Sequence, residues 1–182
     1  MLSMGRKCSF GRRKRYITVG KGACKESSKY ILNTDLTLEV SSEVVEKLYN
    51  ISNNTKIEDC GVFTGSITRV GTHRINKMSP SCLLADSKSR YACVRNVDIA
   101  NDFIKNDFLN SNSTRVYFGE WHTHPEEIPY PSSTDISSII DIYHTSDHPL
   151  DIIFFAIVGY KEIYWGYYDG RNIFKIDNVN II

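Results

Sequence analysis

The 182-residue sequence predicts an α/β (α+β) sandwich, a mostly antiparallel central sheet flanked by helices. Three patterns point there. Short runs in which apolar residues alternate with period two outnumber the runs with helical period. The helical runs fall between strands. The chain then closes on strands alone, with eight aromatic residues between Phe154 and Phe174 that read as a packed sheet face.

Taken in order, Leu36–Val40 is a strand because Leu36, Leu38 and Val40 alternate. Ser41 is an N-cap for the helix that follows, with Val44, Val45 and Leu48 on one face. Gly61–Arg69 and Arg74–Ser79 form a strand pair joined through Gly71, and Arg90–Val94 is a further short strand. Val97–Leu109 has a helical period, with Ile99, Phe103, Ile104 and Phe108 apolar. Val116–His122 is a strand, and Thr134–Tyr143 a helix with Ile136, Ile139, Ile140 and Tyr143 on one face. Strands at Ile152–Val158, Glu162–Tyr168 and Asn172–Ile176 complete the set.

This length suits a single domain over residues 1–182 that buries a core without staples. Lys and Arg total 22 and Asp and Glu 21, for a net charge of +1, which excludes a globally basic nucleic-acid coat protein and a disordered acidic tail. The charge is uneven: residues 1–29 carry nine basic groups and one acid, so a segment near +8 precedes a body near −7. That segment reads either as a contact arm for an acidic partner or as a solvated edge hairpin, since Tyr16, Ile17 and Val19 have strand character. Only Phe10 and Tyr16 could stack on bases there, so nucleic acid is not an expected partner. The five cysteines (Cys8, Cys24, Cys60, Cys82 and Cys93) are odd in number and form no Cys-x-x-Cys pair; they read as reduced thiols. No segment reaches the ~18 apolar residues that span a bilayer, and the basic start lacks the apolar stretch of a secretion signal. The expectation is a cytoplasmic protein with no membrane partner.

One stretch carries chemistry: Gly119-Glu120-Trp121-His122-Thr123-His124-Pro125, followed by Pro131-Ser132-Ser133-Thr134-Asp135. His122 and His124, two apart at a strand end, point the same way and make a two-nitrogen grip suited to zinc. Asp135, in the first turn of the next helix, supplies a carboxylate, and Pro125, Pro129 and Pro131 restrict the loop between them. Two imidazoles and a carboxylate leave one position open, which is the pattern of a catalytic zinc site. Ser132 doubles as N-cap and as a donor to substrate. By this chain's composition the combined spacing arises by chance about once in a thousand such sequences, a modest false-positive risk for a motif.

The pattern His122-x-His124-x(7)-Ser132-x-x-Asp135 resembles the signature of the JAMM (MPN+) zinc metalloprotease family, in which a distant glutamate precedes it. The segment Glu58-Asp59-Cys60-Gly61-Val62-Phe63-Thr64-Gly65 is similar to the Glu-x-Gly-Gly-x-Leu-x-Gly type segment that carries that glutamate, with Gly61 and Gly65 in place. Cys60 departs from it where a glycine is often found, and Thr64 where an aliphatic residue is usual. The resemblance covers residues 36–182. Over Tyr117–Pro125 and Asp86–Arg95 it narrows to a bacterial subgroup encoded beside E1/E2-like enzymes, which includes the isopeptidase of antiphage CBASS operons; a sibling subgroup acts on ubiquitin-like modifiers.

The resemblance implies a JAMM/MPN-like (cytidine deaminase-like) fold and Zn2+ held by His122, His124 and Asp135. It implies Glu58 as the general base and Ser132 as a donor to the developing oxyanion. The substrate it implies is a protein joined through its C-terminal tail, a cGAS-like nucleotidyltransferase or a ubiquitin-like modifier, with an E1/E2-like conjugation enzyme in the same pathway. The tail is expected to add as a strand beside the residues after Gly61 and the segment Asp86–Tyr91, with Gly61, Asp86, Trp121 and Thr123 along it. Glu120 rivals Glu58 as the base, because it shares the strand face of His122. Glu126 and Glu127 read as solvated loop residues, and His73, His144 and His148 as surface or capping residues. The other readings are a peptidase that trims the precursor of a ubiquitin-like or sulfur-carrier protein, and a non-catalytic MPN-type scaffold.

Overall fold

The computed structural model describes residues 36–84 and 93–182. The strands are β1 (Thr37–Val40), β2 (Cys60–Arg69), β3 (Thr72–Met78), β4 (Val116–Thr123), β5 (Ile153–Val158), β6 (Ile163–Tyr168), β7 (Ile173–Lys175) and β8 (Val179–Ile181). The helices are α1 (Ser42–Asn54), α2 (Val97–Asn110) and α3 (Ser133–Thr145). The strands form one sheet in the order β7-β6-β5-β4-β2-β3-β1-β8. Four of its seven pairings are antiparallel; β4–β5, β3–β1 and β1–β8 are parallel.

The two sheet faces are covered by different helices. Val44 and Leu48 of α1 pack with Phe63, Phe118, Trp121, Phe154, Ala156 and Val158 on one face. On the other, Val62, Tyr117, Ile153, Phe155 and Ile157 pack with Ala100, Phe103 and Ile104 of α2 and with Ile139 and Ile140 of α3. Alternate residues of β5 enter opposite clusters, which is why all six of its residues are buried.

A bulge decides which face the catalytic candidates occupy. Phe63 pairs with Gly119 but Thr64 pairs with Tyr117, so β4 carries one extra residue there. Phe118 and Trp121, three apart, therefore share the α1 face, while Tyr117, Glu120 and His122 face α2 and α3. Gly119 sits at φ +149°, and a Cβ there would lie 1.8 Å from the Phe154 carbonyl oxygen, so only glycine serves.

Most of the expected elements are present, and four points differ. Ser41 occupies the N-cap of α1 but makes no side-chain cap bond. Of the expected strand Arg90–Val94, residues 90–92 lie outside the described residues, and Cys93 and Val94 belong to no strand; only Arg95 makes an isolated bridge, to Leu83. β8 went unread because its short, largely exposed run alternates too weakly; parallel pairing with β1 makes it a strand. The α2 face also differs. Ile99 and Phe108 are exposed, and Asp107 is buried instead. The Asp107 carboxylate accepts from the Thr64 hydroxyl at 2.6 Å and from Arg115 Nε and Nη2 at 2.8 and 2.6 Å. A charge so fully bonded can face the sheet. It also accounts for the polar residue at position 64.

Among the described residues no helix is long and apolar enough to cross a membrane. The basic segment and the Tyr16–Val19 strand expectation lie outside the described residues.

Candidate metal centre and active site

Three chain segments meet at one point. The end of β4 presents His122 and His124, the first turn of α3 presents Asp135, and the residues before β2 present Glu58. Thr123, between the two histidines, ties the first segment to the third. Its N–H donates to the Asp59 carbonyl and its hydroxyl accepts from the Asp59 N–H, each at 2.9 Å. Asp135 is held by a capping box: Ser132 Oγ accepts from the Asp135 N–H at 3.2 Å, and Asp135 Oδ2 accepts from the Ser132 N–H at 2.7 Å.

The donor atoms lie close enough together to share one ion. Zinc bound at about 2.0–2.1 Å from each ligand requires ligand atoms roughly 3.3 Å apart. His122 Nε2 and His124 Nε2 are 3.2 Å apart, His122 Nε2 and Asp135 Oδ1 3.2 Å, and His124 Nε2 and Asp135 Oδ2 3.5 Å. Among the described residues this is the one group of three His, Cys, Asp or Glu residues whose ligand atoms converge within 4.8 Å. Glu58 lies beside it, with Oε1 3.9 Å from His124 Nε2.

Electrostatics follow from burial and neighbours. Burial alone would push the Asp135 carboxyl up, but the two imidazoles hold it well below the usual carboxylate range. Burial opposes the charged His124 ring, yet hydrogen bonds it donates to Asp135 and Glu126 outweigh this and raise the ring to about 8. Burial raises the Glu58 carboxyl, offset only in part by His124 and His122, which suits a proton acceptor.

Glu126 was read as a solvated loop residue. It is exposed, but its Oε1 lies 2.9 Å from His124 Nδ1. A carboxylate there accepts from Nδ1–H, which leaves the Nε2 lone pair for a metal. The only sequence signal was its position two residues after His124. Glu120, the other candidate base, is partly buried, pairs with Arg95 and accepts from the Tyr117 hydroxyl. His73 is partly buried, its ring packed against Phe118 and Phe154.

A cavity of about 360 Å³ opens beside the cluster, lined by Glu58, His122 and Asp135 at one end. Of the residues expected along a bound tail, Trp121 contributes to its wall. Gly61 lies opposite Trp121, and a Cβ there would come within 2.7 Å of the indole, so glycine lets the ring pack. Thr123 is 1% exposed and its hydroxyl is committed to Asp59, so it positions Glu58 instead of facing a tail. Asp86 lies outside the described residues. The reading of reduced cysteines is corrected at one pair: Cys60 and Cys93 form a disulfide at the cavity wall, and Cys82 is a free, buried thiol. Cys60 thus stands where a glycine could not make that link.

The family model describing prokaryotic homologs of the JAB domain matches residues 42–161. The chain is 33% identical over 140 residues to a CD-NTase/cGAS isopeptidase of Escherichia coli (strain TW11681), covering 75% of this chain and 85% of that protein. A CD-NTase/cGAS isopeptidase of Vibrio cholerae is 61% identical over 28 residues, 15% of this chain and 18% of that protein. The solution structure of protein DSY2949 from Desulfitobacterium hafniense superposes with a TM-score of 0.53 at 14% identity, covering 80% of this chain and 92% of that one, a likeness of fold. With a family match over residues 42–161 and a curated relative aligned over three quarters of its length, the chain belongs to the prokaryotic JAB-domain family.

Proposed function

We propose that the protein is a zinc-dependent isopeptidase that hydrolyses the amide joining the C-terminus of a conjugated protein to a target amine. The conjugated protein is a CD-NTase (cGAS-like nucleotidyltransferase) or a ubiquitin-like modifier, the first favoured by the names of the relatives, and the setting is a bacterial antiphage pathway with an E1/E2-like enzyme. We take the chain as one catalytic domain, working in the cytoplasm, with a basic segment at about 1–29. The observation that carries the reading is the convergence of His122 Nε2, His124 Nε2 and Asp135 with Glu58 alongside.

His122, His124 and Asp135 would hold the zinc, which when bound acidifies water and polarises a carbonyl. Glu58, buried and biased toward holding a proton, takes one from the attacking water and delivers it to the leaving amine. Ser132 spends its oxygen as an acceptor in the capping box, and its hydroxyl proton remains for the developing oxyanion. Glu126 holds His124 in the tautomer a metal needs. The products are a free carboxylate and a free amine.

The test is a CD-NTase joined through its C-terminus to a lysine side chain, incubated with the purified protein and followed by intact mass. Cleavage at the last residue of the CD-NTase is expected, together with about one zinc per chain, loss of cleavage on chelation and recovery with zinc. Cleavage by protein that carries no metal would overturn the zinc mechanism. An untouched conjugate with a trimmed C-terminal extension would favour a precursor-processing peptidase.

A further inference from the structure

We propose that the cavity beside the metal-ligand cluster receives an apolar side chain of the substrate's tail. The protein then selects tails with a leucine-sized or aromatic residue among the last four positions and disfavours all-glycine ends. This inference rests on the isopeptidase reading above.

The cavity volume of about 360 Å³ lies at the lower end of the roughly 300–1,000 Å³ typical of ligand pockets. It is continuous with the reacting centre, since Glu58, His122 and Asp135 form one end. Beyond them an apolar stretch runs through Phe155 from the sheet, Val97 from α2, and Ile139 and Ile142 from α3, with Thr134, Ser138 and Asp141 of α3 beside it. The one basic side chain on the wall, Arg95, is paired with Glu120, and Tyr117 donates to the same carboxylate. An incoming carboxylate would lose water without gaining a free cation on this wall, whereas an apolar group loses nothing.

The wall nearest the expected tail is also pinned. Arg95 is paired with Glu120 and bridges Leu83 in a short antiparallel contact. A pocket held this way keeps its shape before substrate arrives, which favours discrimination by fit. Val97, 54% exposed, stands at the mouth as an apolar residue left in water. A glycine-rich tail would leave both the pocket and this residue uncovered.

The experiment uses the zinc-loaded full chain and peptides whose C-terminal carboxyl is joined to a lysine ε-amine. Each of the last four tail positions is varied through Gly, Ala, Leu, Phe, Glu and Lys. At one position Leu or Phe is expected to exceed Gly in kcat/KM by about tenfold or more, within the range a side-chain fit supplies. Val97→Trp, at an exposed site, should narrow the mouth and collapse the Phe-to-Ala ratio at that position while zinc content stays the same. Equal rates across the panel, or a preference for Gly, Glu or Lys at all four positions, would overturn the pocket and leave the isopeptidase reading standing. No cleavage of any peptide by zinc-loaded protein would overturn the isopeptidase reading itself, and the pocket with it.

Discussion

Two clusters of ionisable groups lie on the same side of the sheet, and they are built in opposite ways. Around Asp107, donors and acceptors match: one carboxylate accepts from Thr64 and twice from Arg115, with Lys77 Nζ at 3.6 Å. Around Asp135, acceptors converge: two imidazole nitrogens and two carboxylates, Asp135 and Glu58, surround a single point. The first arrangement is complete as it stands and fastens α2 to β2 and β4. The second gains most from a cation, because neutral imidazoles and carboxylates are ligands before they are partners for one another. Residue type alone does not separate structural from chemical clusters; the direction of lone pairs and hydrogens does.

That contrast is sharpest in activity. His122→Ala should strip the metal and lower the turnover of a conjugate by roughly 10⁴-fold, since both the Lewis acid and the activated water are lost. Elemental analysis and rate together check this. Retained zinc with retained rate would erase the distinction between the clusters.

Next in size is the choice of base. Glu58→Gln should keep the fold and zinc but lose about 10²–10⁴ in kcat. Glu120→Gln should cost far less in kcat, because Glu120 is engaged by Arg95 and Tyr117. A larger loss at Glu120 would move the base.

The Asp107 cluster should show the reverse profile, a stability loss with intact chemistry. Asp107→Asn should cost about 3 kcal/mol, as expected when one partner of a buried ion pair is removed. Zinc content and kcat of the folded fraction should hold. Burial pushes the Asp107 carboxyl up, but hydrogen bonds from Arg115 and Thr64 bring it below its ordinary value. A depressed carboxyl contributes stability above its unfolded pKa of about 3.9, and that contribution disappears as pH falls through the folded value. The gap in urea midpoint between wild type and Asp107→Asn should therefore be constant at neutral pH and close below about pH 4. A gap that widened in acid would contradict the ion-pair account.

Much of this molecule was legible in its sequence, for reasons of period and spacing. Alternation in Leu36–Val40 announces a strand because side chains of a strand must alternate faces, and the unbroken apolar run Ile152–Val158 announces one buried on both faces. The His-x-His pair announces a shared direction for the same reason. Ser132 and Asp135, three apart, announce a helix start because the first turn leaves N–H groups that side chains must satisfy. These are local facts, set within a few residues of chain.

Only the tertiary structure decided the rest. The bulge at Gly119 turns Glu120 and His122 toward α2 and α3, and it depends on the neighbouring strands as much as on β4. The burial of Asp107 in place of Ile99 and Phe108 needed Thr64, 43 residues away, and Arg115, eight residues on. The Cys60–Cys93 disulfide joins residues 33 apart, which no count of cysteines could pair. Glu120 and Arg95 become a neutral pair only because the chain returns beside β4. In each case the deciding interaction joins residues far apart in the chain. The sequence lists such residues but does not say which of them meet, because closing the loop between them is a property of the whole fold.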